Sequence, residues 1–576
     1  MKTLLVGINS KYIHTCLAIW YLKGSIANQE EAAAREFTIN DSRDNILSEI
    51  YKENPDIIAF SCYIWNIGMV LSISRELKKL LPGCRIILGG PEVSYDSEQV
   101  LEGNPHVDFV LSGEGEEVFP ILLKDLRERT EEYKAIPGIT YRSGQSVIFN
   151  SGFNLVRQLD IIPSPYTEEL MKITKNRIVY YESSRGCPYS CSYCISSTFN
   201  GVRFFSMERL KSDIGRILEY EPKLVKFVDR TFNCHKQRAK EVLRYIASLE
   251  CDTVFHFEVA ADLFDSEILD ILGKAPRGRI QLEIGIQTIN QETLEEIDRV
   301  TNINVLTDNV KKILDKGNIH VHLDLIAGLP FEDYKSFQKS FNYVYNLKPH
   351  QLQLGFLKML KGSRIRKESE KHGFSFREYS PYEVLENKYI SYDEILCLKD
   401  VEEVFERYYN SGRFEYSLKH MEDILSNNNY FEMYNRLAAY CRKNGFLDRP
   451  VSYRESIGVL YSFYMEDNCS DRSGAENFRQ KMVLDFLSTD SSCSIPECLR
   501  REEDLLTPAD IHSTLRDMEF IHKYLPQYKT AQAKNILKKV YLIRLDTVTA
   551  EDEINLLDYS QKDAITGKYR RVVIHR

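Results

Sequence analysis

The chain has 576 residues, of which 43% are hydrophobic and 28% charged, the balance of a water-soluble protein too long for one core. A net charge of −9 argues against a nucleic-acid binder that works through a generally basic surface. The opening segment Met1–Ser10 lacks the apolar stretch of a secretory leader and no long apolar run marks a membrane span, so a cytoplasmic protein with mostly reduced cysteines is expected.

Residues 1–135 alternate apolar runs with amphipathic stretches. Strands are expected at Thr3–Ile8, Glu36–Asn40, Asp56–Ser61, Arg85–Gly89 and Val107–Leu111. A helix is expected over Gly68–Leu81, where Val70, Leu71, Ile73, Leu77 and Leu80 keep helical spacing. This rhythm predicts an α/β, Rossmann-like domain with a parallel sheet covered on both faces. Neither a dinucleotide glycine motif nor a phosphate loop follows the first strand. Instead Ser61-Cys62-Tyr63, Gly89-Gly90-Pro91-Glu92 and Ser112-Gly113-Glu114-Gly115-Glu116 punctuate the carboxyl ends of the later strands, where open parallel sheets bind ligands.

Residues 136–175 read as a linker with a hairpin, Gly138–Arg142 and Ser146–Asn150 flanking Ser143-Gly144-Gln145. From 176 to 370 the alternation resumes, with strands expected at Ile178–Glu182, Leu224–Asp229, Thr253–Val259, Ile280–Ile286, Ile319–Ile326 and Gln351–Leu357. Six such units predict a partial (β/α)6 barrel of the TIM type, its chemistry at the strands' carboxyl ends. Residues 371–576 predict a mainly α-helical domain of unreadable role, with strand rhythm only at Val540–Leu545 and Tyr569–Ile574.

One segment stands apart: Ser184-Arg185-Gly186-Cys187-Pro188-Tyr189-Ser190-Cys191-Ser192-Tyr193-Cys194, directly after the first barrel strand. Three thiolates from one tight loop suit three corners of a 4Fe–4S cluster and leave the fourth iron open to a chelating substrate. A structural zinc is the alternative, but zinc favours four protein ligands, and only Cys234 or His235 stands near enough in sequence to complete the set.

This segment resembles the signature of the radical S-adenosylmethionine superfamily, in which an aromatic residue such as Tyr193 precedes the third cysteine. The resemblance implies that Cys187, Cys191 and Cys194 hold the cluster and that the methionine end of S-adenosylmethionine chelates the open iron. Reductive cleavage would then release a 5′-deoxyadenosyl radical, with an electron donor such as flavodoxin or ferredoxin as partner. Further positions match family motifs: Asp229 and Arg230 beside the methionine amine, Glu258 on the ribose, Gln287 on the cofactor, and Arg299, on the next helix, on the methionine carboxylate. Asp324 and Gly328 match the adenosine motif.

The glycine loops of residues 1–135, just upstream, resemble the cobalamin-binding domain of cobalamin-dependent radical enzymes. That resemblance implies corrinoid-tail contacts from Ser61, Tyr63, Gly89, Gly90, Gly113, Glu114 and Gly115. The cobalt-ligating Asp-x-His-x-x-Gly motif is missing, and His14 reads as a packing residue. The implied reaction is methylation of an unactivated carbon. Radical cyclisation or ring rearrangement with cobalamin as electron carrier, and a non-catalytic corrinoid- or redox-responsive protein, remain open, and the substrate is not readable.

Overall fold

The computed structural model describes residues 1–27, 31–199, 201–467, 472–545 and 553–575. Its first sheet contains β1 (Lys2–Asn9), β2 (Glu31–Thr38), β3 (Ile57–Ser61), β4 (Arg85–Gly89), β5 (Phe109–Leu111), β6 (Ile139–Ser143) and β7 (Ser146–Phe149). The spatial order is β2-β1-β3-β4-β5-β6-β7, the first five strands being parallel. Continuous apolar runs such as Ile57–Phe60 and Ile86–Leu88 are buried because helices cover both faces. The order reverses at β1, which lies between β2 and β3, so a crevice opens above the carboxyl ends of β1 and β3. The hairpin read as part of a linker is not free: β6 pairs antiparallel with β5 and extends this sheet.

The second sheet is built from β8 (Val179–Tyr181), then, beyond the inserted hairpin β9 (Ser184–Cys187) and β10 (Gly201–Phe204), from β11 (Leu224–Phe227), β12 (Val254–Val259), β13 (Ile280–Gln287), β14 (His320–Ala327) and β15 (Gln351–Phe356). Six parallel strands in the order β15-β14-β13-β12-β11-β8 form the partial barrel. Burial alternates strictly along β13 and β14. Ile280, Leu282, Ile284, Val321, Leu323 and Leu325 pack against helices, while Glu283, Gln287, His322 and Asp324 share the opposite, half-buried face.

An open barrel exposes the edge of β15, and the C-terminal region covers it. Asn410 places its amide against that edge, accepting from Leu352 N–H at 3.0 Å and donating to Leu352 C=O at 2.9 Å. Helices at Tyr392–Phe405, Tyr430–Lys443, Tyr453–Asp467 and Arg472–Thr489 dominate this region. It also holds the short pair β16 (Ser375–Phe376) and β17 (Val384–Glu386), and an antiparallel sheet of β18 (Val540–Arg544), β19 (Glu553–Lys562) and β20 (Tyr569–His575). Among the described residues no helix is long and apolar enough to cross a membrane.

Candidate active site

The cysteine loop lies between β9 and β10, which pair antiparallel with Cys187 opposite Gly201. Backbone contacts pin it from both sides: Ser192 N–H donates to Ile297 C=O at 2.9 Å and Ile365 N–H to Ser192 C=O at 3.0 Å. Cys187 Sγ stands 3.6 Å from Thr231 Oγ1, and Cys191 Sγ stands 3.9 Å from Arg299 Nη1. Burial raises the Cys191 thiol's pKa against the pull of Arg299. No cysteine among the described residues is in a disulfide. Nor do any three His, Cys, Asp or Glu side chains among them crowd around a single ion; a cubane takes each thiolate on a separate iron. His235, one candidate for a fourth zinc ligand, is engaged as a helix cap, its Nδ1 accepting from Arg238 N–H at 3.3 Å.

Around this loop the barrel gathers several of the expected residues. Arg299 lies in the turn after helix Gln291–Glu296, not on a helix, and its Nη1 donates to the Tyr193 hydroxyl at 3.2 Å. Gln287 ends β13 at a bulge, with φ of +70°. Its Oε1 is buried and without a hydrogen-bond partner among the described residues, as is Nε of Arg299. A Cβ on Gly285 would strike the Gln287 amide, so a glycine there leaves room for donor and acceptor beside Cys191. These unsatisfied buried groups fit the amino-acid end of S-adenosylmethionine.

Glu258 stands one residue before the end of β12, its carboxyl pushed up to about 7 by burial and by the neighbouring Glu283. Asp324 on β14 lies 3.1 Å from His322 Nε2, while Glu283 accepts from Lys226 at 3.0 Å and faces His256 at 2.8 Å. Gly328 follows β14 with φ of +87°, and a Cβ there would make only ordinary contacts with Val384 and Leu357. Arg230 is exposed and borders the interdomain cavity.

Glu332 escaped the sequence analysis. It is 1% exposed and lies beyond β14, accepting from Thr288 Oγ1, just after β13, at 2.5 Å and from Ser340 Oγ, on helix Tyr334–Tyr345, at 3.0 Å. Burial raises its carboxyl to about 7. The folded chain therefore keeps this proton to higher pH than the unfolded chain, and stability falls as pH rises from about 4.5 to about 7, by up to ~3 kcal/mol. Glu332→Gln should remove that decline, measured as the difference in denaturant stability of apo-protein at pH 5 and pH 8 relative to wild type. An unchanged pH dependence would show that Glu332 ionises normally in the fold.

Five of the expected residues are engaged within the protein itself. Asp229, expected beside a methionine amine, is 1% exposed and accepts from Ser183 N–H at 3.1 Å, Ser183 Oγ at 2.7 Å and the Ser184 hydroxyl, so its carboxylate is engaged within the protein. It fixes the turn that launches the cysteine hairpin. Gly90 and Gly113, with φ of +107° and +97°, answer to the protein's own crossings, since a Cβ would lie 2.6 Å from Cys62 C=O and 2.5 Å from Asn154 C=O. Gly115 likewise makes room for Leu22, whereas a Cβ on Gly89 would meet only an ordinary contact. Glu114 is held by Arg203 at 2.6 and 2.8 Å and by Val156 N–H at 2.7 Å, which leaves it bracing the β9–β10 hairpin.

Ser61, Tyr63 and these glycines nevertheless line a cavity of about 700 Å³ between the two sheets' carboxyl ends. Tyr63 stacks on Trp65 at 4.4 Å on its wall, and His14 lines it with Nδ1 2.6 Å from the Tyr180 hydroxyl. Gly186, Ile195 and Ser196, immediately flanking the cysteine loop, close the barrel side. The volume suits an organic cofactor.

A switch-point crevice facing a partial barrel whose mouth carries a C-x-x-x-C-x-x-C loop defines a two-module, cofactor-bridging architecture. Comparison identifies the modules: residues 3–123 match the B12 binding domain and residues 181–344 the radical SAM superfamily. The chain thus carries these two domains in tandem, followed over residues 370–562 by a match to proteins of unknown function, DUF4080. These are the domains that the cobalamin, 4Fe–4S and S-adenosylmethionine expectations require. The 2-(S-pantetheinyl)-carbapenam-3-carboxylate methyltransferase of Streptantibioticus cattleyicolor is 28% identical over 52% of this chain and 46% of its own. The cobalamin-dependent radical SAM methyltransferase TokK of Streptomyces tokunonensis is 27% identical over 61% of this chain and 54% of its own. The chain therefore spans about half the length of the curated relatives it matches. The structure of the cobalamin-dependent S-adenosylmethionine radical enzyme OxsB with aqua-cobalamin superposes with a TM-score of 0.61 at 15% identity, covering 84% of this chain and 79% of that one.

Proposed function

We propose that this protein is a cobalamin-dependent radical S-adenosylmethionine enzyme that methylates an unactivated carbon. The observation that carries the reading is the cavity of about 700 Å³ whose walls come from both modules and whose barrel side is formed by the flanks of the cysteine loop. Cys187, Cys191 and Cys194 would hold the cluster, and the B12 binding domain the corrinoid. Together these groups supply an electron for cleaving S-adenosylmethionine and a methyl group for transfer. The chain's own work is placement: Arg299 and Gln287 offer fork donors and an amide beside Cys191, and Glu258 offers a carboxylate for two ribose hydroxyls. Walls from both modules around the cavity would limit the access of water to a reactive radical. The methyltransferase names of the matched relatives support methyl transfer. We further propose a cytoplasmic setting and a flavodoxin or ferredoxin as electron donor.

Anaerobically reconstituted protein given hydroxocobalamin, S-adenosylmethionine and dithionite should bind the corrinoid one to one. It should then form 5′-deoxyadenosine together with S-adenosylhomocysteine. Formation of 5′-deoxyadenosine without S-adenosylhomocysteine would replace methyl transfer by corrinoid electron transfer. Colourless zinc protein that forms neither would overturn the reading.

A further inference from the structure

The glycine loops after β4 and β5 carry glutamates that face the barrel module. Glu92, 4% exposed, accepts from the Tyr382 hydroxyl and lies 3.4 Å from Lys361 Nζ. Glu114 and Glu116 meet the cysteine hairpin instead. Arg203 on β10 grips Glu114 with both terminal nitrogens, at 2.6 and 2.8 Å. Arg185 on β9, two residues before Cys187, reaches Glu116 at 2.6 Å through Nη2, Glu182 at 2.9 Å through Nε and Glu114 at 3.5 Å through Nη1.

Three features make this more than a surface ion pair. The side chains of Arg185 and Glu116 are only 11% and 8% exposed, so their attraction is weakly screened and breaking it strands a buried charge. A guanidinium can serve three carboxylates at once through its fixed fork, which an ammonium cannot. The hairpin that bears Arg185 is also stiff: Gly186 passes so close to Gly201 C=O that no side chain fits there. A shift of Arg185 is therefore delivered to Cys187. The other end of the network, Gly113–Glu116, lines the same cavity.

Resting on the function proposed above, we infer that Arg185, with Glu114, Glu116 and Glu182, is a positioning residue that couples corrinoid occupancy of the β5 loop to the cysteine loop. A ligand that orders Gly113–Glu116 fixes the carboxylates, the carboxylates fix Arg185, and S-adenosylmethionine then meets a loop already held in place. Binding of the two cofactors is positively cooperative, and by linkage the effect is equal in both directions.

The test is a thermodynamic cycle on anaerobically reconstituted protein. Dissociation constants are measured for S-adenosylmethionine with and without hydroxocobalamin, and for hydroxocobalamin with and without S-adenosylmethionine. Wild type should show at least about fivefold tightening in both directions. In Arg185→Gln both cofactors should still bind while the factor falls to one. Glu116→Gln, which keeps size and an acceptor, is a milder break in the same link and should also lower it. Arg185→Lys should retain part of the factor, because a point charge satisfies one carboxylate at a time. Tyr382→Phe, which loosens only the Glu92 contact, should keep the factor whole. In parallel, hydroxocobalamin should change the Mössbauer spectrum of the oxidised cluster in wild type but not in Arg185→Gln. Independent binding in wild type, or full coupling in both Arg185→Gln and Glu116→Gln, would overturn the inference while leaving the proposed function intact. A protein that binds no hydroxocobalamin would overturn both.

Discussion

Replacing Cys191 with alanine should strip the protein of its cluster and reduce 5′-deoxyadenosine formation to background, while the fold survives. Two quantities separate these effects. The side chain is 6% exposed but small, so its loss costs about 1 kcal/mol in packing. Chemically it removes one of three thiolates, all drawn from the segment Cys187–Cys194. Two remaining sulfurs cannot hold three corners of a cubane. Iron and sulfide analysis, the brown colour and the reduced-state paramagnetic signal should disappear together, with the circular dichroism spectrum unchanged. Cys234→Ala is the informative companion. Its thiol lies near enough to Cys187 to raise its own pKa further, beyond the rise that burial causes. It is the remaining candidate for a fourth tetrahedral ligand, and it should leave iron content and cleavage at wild-type levels. Loss of metal in both variants, with zinc in the wild type, would place a four-ligand structural ion where the cluster is proposed.

What could be read from sequence divides along a physical line. The expected strand Arg85–Gly89 coincides with β4, and Thr3–Ile8 falls one residue short of β1 at each end, because buried parallel strands are short, apolar and bounded by turn residues. β2 was displaced, expected at Glu36–Asn40 and found at Glu31–Thr38. Ala32, Ala33 and Ala34 carry little strand preference, and pairing with Thr3–Leu5 of β1 makes them a strand. The β9–β10 hairpin was invisible, since Ser184–Cys187 and Gly201–Phe204 have neither length nor alternation, and β19 was likewise missed. For the site, ligand spacing is local and so legible in one segment. Partnerships are not: Glu114 and Arg203 stand 89 residues apart, Ser183 and Asp229 46 apart, and only the fold brings them together. A glycine in a ligand-side loop reads as room for a ligand, yet at Gly90 and Gly113 the neighbour is backbone.

Asp229 offers the sharpest test of that difference, because a ligand contact and a buried scaffold predict opposite outcomes from one substitution. Its carboxylate accepts hydrogen bonds from Ser183 N–H, Ser183 Oγ and the Ser184 hydroxyl. In Asp229→Ala the hydroxyls can turn to other acceptors, but the Ser183 N–H is stranded in a site from which water is excluded. An unpaired buried donor costs about 1–3 kcal/mol, and the lost bonds to a charged acceptor add a comparable amount. A total of roughly 2–6 kcal/mol should appear as a lower denaturation midpoint. Because Ser184 begins β9, slack there is transmitted to Cys187, and iron incorporation should fall with stability. Asp229→Asn keeps an acceptor for the Ser183 N–H and should recover most of both. In the fraction of Asp229→Ala that retains its cluster, affinity for S-adenosylmethionine should be that of wild type. A variant of unchanged stability with weakened S-adenosylmethionine binding would instead return Asp229 to the methionine amine. The turn at Ser183–Ser184 would then owe its shape to something other than this carboxylate.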